Sequence, residues 1–286
     1  MYNIKCMSRR WTFTEKEMEY CNVMLSSVRK EKIKKTLLEK KEVSVSELAE
    51  TFSVSDETIR RDLRVLEEEG IAKRSHGGAT LSNRVKTTAD NSVLAGLFVE
   101  SKRIIAAQCE RFIRDGDCIF LDGSTTASAI CERIQQKEIT VLTNSLRAIN
   151  MLNKSKTIKL ICVGGNFLSS RQSFVGPCAN DTLSRYYVDT AFISCRSLSM
   201  ENGITDSDDD SARLKQLITQ HANRVVLIAD HTKFGKTSFT RACDFCDIHD
   251  IVTDQPLTED WLSFALSRGL AVWDTRSDED ESETRS

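Results

Sequence analysis

Apolar positions in residues 29–81 recur at helical spacing in three successive stretches and then switch to alternation. In RKEKIKKTLLEK, Ile33, Leu37 and Leu38 share one face among lysines, which predicts a first amphipathic helix. SVSELAETF predicts a second, with Ser46 as its N-cap and Leu48, Ala49 and Phe52 turned inward. After a short SVS turn, DETIRRDLRVLEEEG predicts a third helix, capped by Ser55 and stopped at Gly70, with Ile59, Leu63 and Leu66 on one stripe. IAKRSHGGATL then alternates as a hairpin does, with Gly77-Gly78 suited to its tip. Three short helices with a tight second turn, followed by a hairpin, make a winged helix-turn-helix over residues 25–81.

Residues 82–102 have no period and read as a linker. From residue 103 to 273 the texture is different. RIIAAQCERFI, TTASAICERI, SLRAINML, ARLKQLITQHA and EDWLSFAL read as helices, whereas CIFL, ITVL, IKLICVGG, TAFISC, RVVLIAD, IVT and AVW read as strands. Such alternation predicts an α/β fold with a mainly parallel sheet covered on both faces. The last stretch, 274–286, is an acidic tail with no core to join and reads as disordered.

Composition narrows the classes without choosing among them. The chain has 286 residues, room for two domains, and the balance of an ordinary globular protein. No apolar run approaches the roughly 20 residues a bilayer crossing needs, and the first 25 residues lack a signal-peptide core. A cytoplasmic protein with no membrane partner is expected. The ten cysteines lack a regular framework and read as reduced, mostly buried thiols. CDFCDIH spaces Cys243, Cys246 and His249 like metal ligands, but a structural zinc site needs four and no second CxxC exists. Neither metal nor cofactor is expected.

The formal net charge of −2 conceals a local concentration of arginine. At about 100° per residue, the side of the third helix opposite its apolar stripe carries Glu57, Arg60, Arg61, Arg64 and Glu68. Arginine there can fork onto guanine or phosphate, and Ser55 and Thr58 in the first turn can also reach DNA. Lys73, Arg74, His76, Gly77 and Gly78 on the hairpin would lie along a phosphate backbone. The competing reading is a solvated helix face whose Glu57–Arg61 and Arg64–Glu68 are i, i+4 pairs.

In the second domain, a strand ending Leu121-Asp122 leads into Gly123-Ser124-Thr125-Thr126 and a helix. Close backbone approach at glycine, hydroxyl donors and helix-terminal amides suit a phosphate. Thr143-Asn144-Ser145 and Gly164-Gly165 also follow strands, so the three loops are expected to gather at the carboxyl edge of the sheet.

Over roughly residues 25–273 the sequence resembles the deoxyribose-operon-repressor (DeoR) family of bacterial transcription regulators. The N-terminal resemblance lies in Arg29, Ile33 and Leu37, then SDETIRRDL and LEEEGIAKRSHGGA. Further on it lies in FLDGSTT, LTNSL, VGG, DTAFIS, LKQLI and IADHTKFGK, in that order. Met24-Leu25 fits the place where the family usually begins, so the segment 1–24 up to that point reads either as an extension or as an upstream start wrongly chosen.

The resemblance implies a C-terminal domain similar to ribose-5-phosphate isomerase that senses a phosphorylated sugar. It also implies that Lys215 and Lys233 neutralise ligand phosphate, and that Asp230 orients a sugar hydroxyl or caps a loop. Many relatives have a glycine just after the AFIS-type strand, where this chain has Cys195-Arg196-Ser197-Leu198, a departure that bears on ligand shape. The expected protein is a non-enzymatic repressor of sugar-metabolism genes, a homodimer or homotetramer on double-stranded operator DNA. The alternative is a phosphosugar isomerase or hydrolase with an appended DNA-binding domain, for which Asp206, Asp208 and His231 are the candidate bases.

Overall fold

The computed structural model describes residues 42–68, 71–81 and 98–276, together with positions 26, 28–30, 32–34, 36, 37 and 40. The expectations for the 1–24 extension, Met24-Leu25, Leu38, the stop at Gly70, the linker up to residue 97 and the tail from 277 lie outside the described residues. Two compact units divide the chain, Met1–Lys86 and Thr87–Ser286.

In the first unit, helix α1 holds the described positions between 26 and 40. It is followed by β1 (Glu42–Ser44), α2 (Val45–Phe52), α3 (Asp56–Glu68), β2 (Ala72–Arg74) and β3 (Gly78–Leu81). Ile33, Leu37, Leu48, Ala49, Ile59, Leu63 and Leu66 are all buried, so the periodic stripes do form one small core. The α2–α3 turn is made by Ser53 in the left-handed region at φ 51°. Ser55 caps α3, its hydroxyl accepting from the Thr58 amide at 3.3 Å.

The start of α2 corrects the expected N-cap. Ser44, not Ser46, occupies that position. Val45 is buried and its amide donates to Gly77 O at 2.8 Å, so the helix springs directly from β1. Strand β1 itself has no sequence signal beyond three residues. It pairs antiparallel with β3, whose other edge carries β2. Gly78 permits that contact: a Cβ there would sit 1.9 Å from Val43 O.

The second unit opens with α4 (Val99–Cys109), β4 (Cys118–Leu121), α5 (Thr125–Ile130), β5 (Thr140–Thr143), α6 (Leu146–Leu152) and β6 (Lys159–Cys162). The hairpin β7 (Asn166–Leu168) and β8 (Ser173–Val175) follows, then α7 (Pro177–Leu183), β9 (Val188–Ser194), β10 (Ser197–Ser199) and β11 (Gly203–Asp206). The chain continues through α8 (Asp209–Gln220), β12 (Ala222–Ile228), β13 (Thr240–Cys243), β14 (Asp250–Val252), α9 (Glu259–Ser267) and β15 (Ala271–Trp273).

Seven of these strands form one sheet, ordered β15-β14-β12-β9-β4-β5-β6, and every pair in it is parallel. Continuous apolar runs are needed because both faces are covered. Ile119 and Leu121 enter one core with α4, α5 and α6, and Phe120 enters the other with α7, α8 and α9. Chain order runs outward through β5 and β6 on one side of β4, and through β9, β12, β14 and β15 on the other. This reversal between β4 and β9 opens a crevice at their carboxyl ends.

Some features had no sequence signal. Helix α4 begins at Val99, inside the stretch read as linker. The β7–β8 hairpin, α7 and the small β10-β11-β13 sheet are built from pieces too short or too polar to show a period. The eight described cysteines are free thiols, but only Cys109, Cys131, Cys195 and Cys243 are buried. Cys162 ends the edge strand β6, and Cys178 and Cys246 lie on exposed turns of helix, so fewer thiols are buried than their apolar contexts suggested. Among the described residues no helix is long and apolar enough to cross a membrane.

Candidate functional site

Helix α3 turns Ile59, Leu63 and Leu66 inward and leaves Glu57, Arg61, Arg64 and Glu68 exposed, with Thr58 and Arg60 half-buried. The i, i+4 pairs of the solvated-face reading are not formed: among the described residues no ion pair engages Arg60, Arg61 or Arg64. One charge on the helix is structural instead. Asp62 is buried and takes Arg29 Nε at 2.6 Å, fastening α3 to α1. On the hairpin, Lys73, His76 and Gly77 are exposed, Arg74 is half-buried and Gly78 is buried against β1.

In the second unit, β4 delivers Asp122 into the crevice, where its buried carboxylate bridges both sides of the reversal. Oδ1 accepts from the Ser124 amide at 3.0 Å, and Oδ2 accepts from the Ser194 amide at 2.8 Å and hydroxyl at 2.9 Å. Lys215 Nζ, from α8, lies 3.6 Å from the same Oδ2 and 2.5 Å from Asp206 Oδ2. The other oxygen of Asp206 accepts from the Ser207 amide at 2.8 Å and from Arg171 Nη2 at 2.6 Å. Arg171 comes from the tip of the β7–β8 hairpin and also contacts Ser207 Oγ and Asp208.

Burial alone would oppose charge on Asp206. Lys215 and then Arg171 outweigh it and hold the carboxyl well below the ordinary carboxylate range. Burial opposes charge on Lys215 too, but Asp206 and then Asp122 push its ammonium above the ordinary lysine value. Together these groups line a small, solvent-open cleft with Gly123, Asn144, Ser173, Ser211 and Leu214. Its two carboxylates and two cations balance one another.

Six of the sequence-selected residues therefore meet there: Asp122, Gly123, Ser124, Asn144, Lys215 and the candidate base Asp206. Thr125 and Thr126 begin α5, which is only six residues long. Ser124 Oγ caps that helix through the Ala127 amide at 2.9 Å, so less of the turn is open to an anion than its composition suggests. Thr143 and Ser145 are braces. Thr143 Oγ1 donates to Leu121 O at 2.7 Å and accepts from the Ser145 amide at 3.0 Å, while Ser145 Oγ caps α6. Gly164 and Gly165 lie outside the cavity wall; Gly165 has φ 127°, and a Cβ on it would meet Val175 O at 2.6 Å.

Asp230 and Lys233 form a second charged group at the end of β12. Asp230 is buried, accepts from the Thr232 amide at 3.0 Å and hydroxyl, and lies 3.7 Å from Lys233 Nζ. Lys102 of α4 is buried beside them, its pKa pushed down to about 8 by burial against the opposing pull of Asp230. Of the candidate bases, Asp206 lines the cavity between Lys215 and Arg171. Asp208 caps α8 through the Ser211 amide at 2.8 Å, and His231 Nδ1 lies 2.8 Å from Asp254 Oδ2 with its ring edge-on to Phe98. His249 Nδ1 accepts from the Val225 amide at 3.1 Å, away from any gathered set of metal ligands among the described residues.

Sequence reasoning missed Arg171, Ser173, Ser194, Ser211 and Leu214. Arg171 lies in SSRQSF, a polar run with no period, and nothing local marks it as a partner of Asp206. The unusual CRSL segment after β9 places Arg196, 8% exposed, close to the same cluster, where burial and then Arg171 lower its pKa against the pull of Asp206.

Comparison with known proteins gives three kinds of likeness. Residues 29–85 match the DeoR-like helix-turn-helix domain, and residues 98–255 match the DeoR C terminal sensor domain. The sequence is 36% identical to the uncharacterized HTH-type transcriptional regulator YulB of Bacillus subtilis, over 82% of this chain and 91% of that protein. It is 31% identical to the lactose phosphotransferase system repressor of Staphylococcus epidermidis, over 79% of this chain and 91% of that one. Among solved structures, ribose 5-phosphate isomerase A from Neisseria gonorrhoeae overlaps 46% of this chain and 52% of its own, at 13% identity and a TM-score of 0.35.

Proposed function

The chain belongs to the DeoR family of transcriptional regulators, and from that premise we propose that it represses sugar-metabolism genes, with its grip on operator DNA controlled by a phosphorylated sugar. The observation that carries this reading is the joining, on one chain, of two devices. One is a helix whose outer arginines make no ion pair with described residues; the other is a sensor-family unit with a polar cavity at the reversal of its sheet. Arg60, Arg61 and Arg64 with Ser55, Glu57 and Thr58 face the major groove, and Lys73, Arg74, His76 and Gly77 follow the backbone, whereas Gly78, buried against β1, is taken up by the strand contact. A relative named as a lactose phosphotransferase system repressor supports the choice of repression. Palindromic operators follow if the protein is a symmetric dimer or tetramer.

Control of DNA binding by a ligand requires only that the ligand bind two arrangements of the protein unequally. The chemistry at the cavity supports binding over turnover. Asp206, ionised and held between Lys215 and Arg171, is a poor proton acceptor, and Asp208 caps α8.

The test joins a mobility-shift assay on DNA flanking the gene with a thermal-shift screen of pentose and hexose phosphates. One sugar phosphate is expected to raise the melting temperature and to change the shifted fraction, with no turnover. Arg61→Ala should weaken operator binding by about 1–3 kcal/mol and leave the thermal shift intact. Steady conversion of a sugar phosphate, or an operator affinity untouched by Arg61→Ala across salt concentrations, would sink the respective half of the reading.

A further inference from the structure

We infer that helix α4 is a two-position relay between the loop after β12 and the segment that leads to the DNA-reading unit, and that Gln108 sets the balance between the positions. Only the ligand arm of this inference rests on the phosphosugar reading above. Helix α4 is the first described element of the second unit. The chain coming from the DNA-reading unit enters it at Phe98, so any displacement of α4 is passed to that chain.

Two features make the described position of α4 costly. Gln108 is 1% exposed, and among the described residues neither its Nε2 nor its Oε1 has a hydrogen-bond partner. A buried amide with donor and acceptor both unmet carries the full cost of leaving water. At the other end of the helix, the N-cap Phe98 sits in the left-handed region at φ 50°, where its Cβ is crowded, and makes no side-chain cap bond. Such strain persists only where the surroundings hold it, and it gathers at elements that switch.

What holds α4 comes from the loop after β12. The Phe98 ring stands edge-on to His231 at 5.6 Å, and His231 Nδ1 is fixed 2.8 Å from Asp254 Oδ2. The first turn closes through the Lys102 amide, which donates to Phe98 O at 3.0 Å. Asp230 attracts the buried Lys102 ammonium while standing 3.7 Å from Lys233 Nζ. A phosphate that settles on Lys233 adds negative charge beside Lys102 and changes this hold. Gln108 touches no ligand in this scheme; it gains partners when α4 shifts.

Hydrogen–deuterium exchange and DNA binding on the full chain test the relay. In wild type, the amides of α4 are expected to exchange at least about ten-fold faster than those of α8, whose Asp208 cap and ion-paired Lys215 satisfy its polar groups. Gln108→Leu, close in volume and without polar atoms, should slow exchange in α4 at least about ten-fold and leave α8 unchanged. Mobility shifts on DNA flanking the gene, with D-glucose 6-phosphate, D-fructose 6-phosphate or D-ribose 5-phosphate, supply the second readout. The sugar phosphate that changes operator affinity in wild type should change it at least about five-fold less in Gln108→Leu, while its thermal shift shows that it still binds. Gln108→Met is the second variant, and the wild-type comparison of α4 with α8 decides even if neither variant folds. Helix α4 exchanging as slowly as α8, unchanged or faster α4 exchange in the variants, or a ligand response kept in full would overturn the inference and leave the phosphosugar reading standing. If no sugar phosphate changes operator binding but α4 exchanges as expected in wild type and variant, the phosphosugar reading falls and the relay stands.

Discussion

At Asp206 two large opposing effects meet, and the structure lets their sum be judged. Burying an isolated carboxylate costs several kcal/mol, and only close, hydrogen-bonded cations offset that. Lys215 at 2.5 Å and Arg171 at 2.6 Å do so, and the resulting carboxyl stays ionised well below its ordinary range. Asp206→Asn should therefore destabilise the second unit by about 3–5 kcal/mol at pH 7, because Lys215 keeps only the longer contact to Asp122. Since the folded carboxyl titrates below its unfolded value, its contribution is complete above about pH 4 and is lost as pH falls toward the folded pKa. Urea unfolding of wild type and variant should show a wide gap at pH 7 that narrows on the acid side of pH 4. A gap under about 1 kcal/mol at pH 7 would mean that the pair is close to neutral for stability. The same residue was legible in the sequence only as a loop carboxylate and a candidate base; its partners lie 9 and 35 positions away.

Among the elements, α3 was the most legible, because a 3.6-residue period over 13 residues leaves little freedom in which face is buried. Its acidic end, unfavourable against the helix dipole, acquires a reason in three dimensions for one residue. Glu67 Oε1 accepts from the Arg74 amide at 3.0 Å and so ties the end of α3 to strand β2. For Glu68, which is exposed, the structure offers no such partner among the described residues. The wing was legible as a hairpin, but the role of Gly78 was not: it serves the approach of β3 to β1 rather than the turn. Gly78→Ala should force the strands apart and cost the first unit about 1–3 kcal/mol or more by overpacking. Circular-dichroism melting should show the loss. If the melting of Gly78→Ala equals that of wild type, the β1–β3 contact is not a fixed feature. The hairpin β7–β8 carries Arg171 yet was invisible, since strands of three residues are too short for alternation to stand out.

For the whole molecule, a net charge of −2 says little about nucleic acid, because the arginine face of α3 is averaged with a larger second unit. A symmetric oligomer should protect two half-sites about one helical turn, or 34–36 Å, apart. Footprinting beside light scattering checks this; a monomer that covers a single half-site would exclude it. Local sequence was enough for the two-unit plan, the helix-turn-helix with its outward arginines, the parallel character of the sheet and the strand-end loops around Asp122 and Asn144. These are consequences of local periodicity and turn chemistry, which each stretch of chain carries within itself. Tertiary structure alone decided that Thr143 and Ser145 brace the sheet, that Asp230 and Lys233 form a group of their own with Lys102, and that Arg171 and Asp206 close on Lys215. Those outcomes depend on strand order, on register and on which distant charges burial forces together. A local pattern cannot encode them, because the free energy of a buried charge is set by neighbours that only the completed fold supplies.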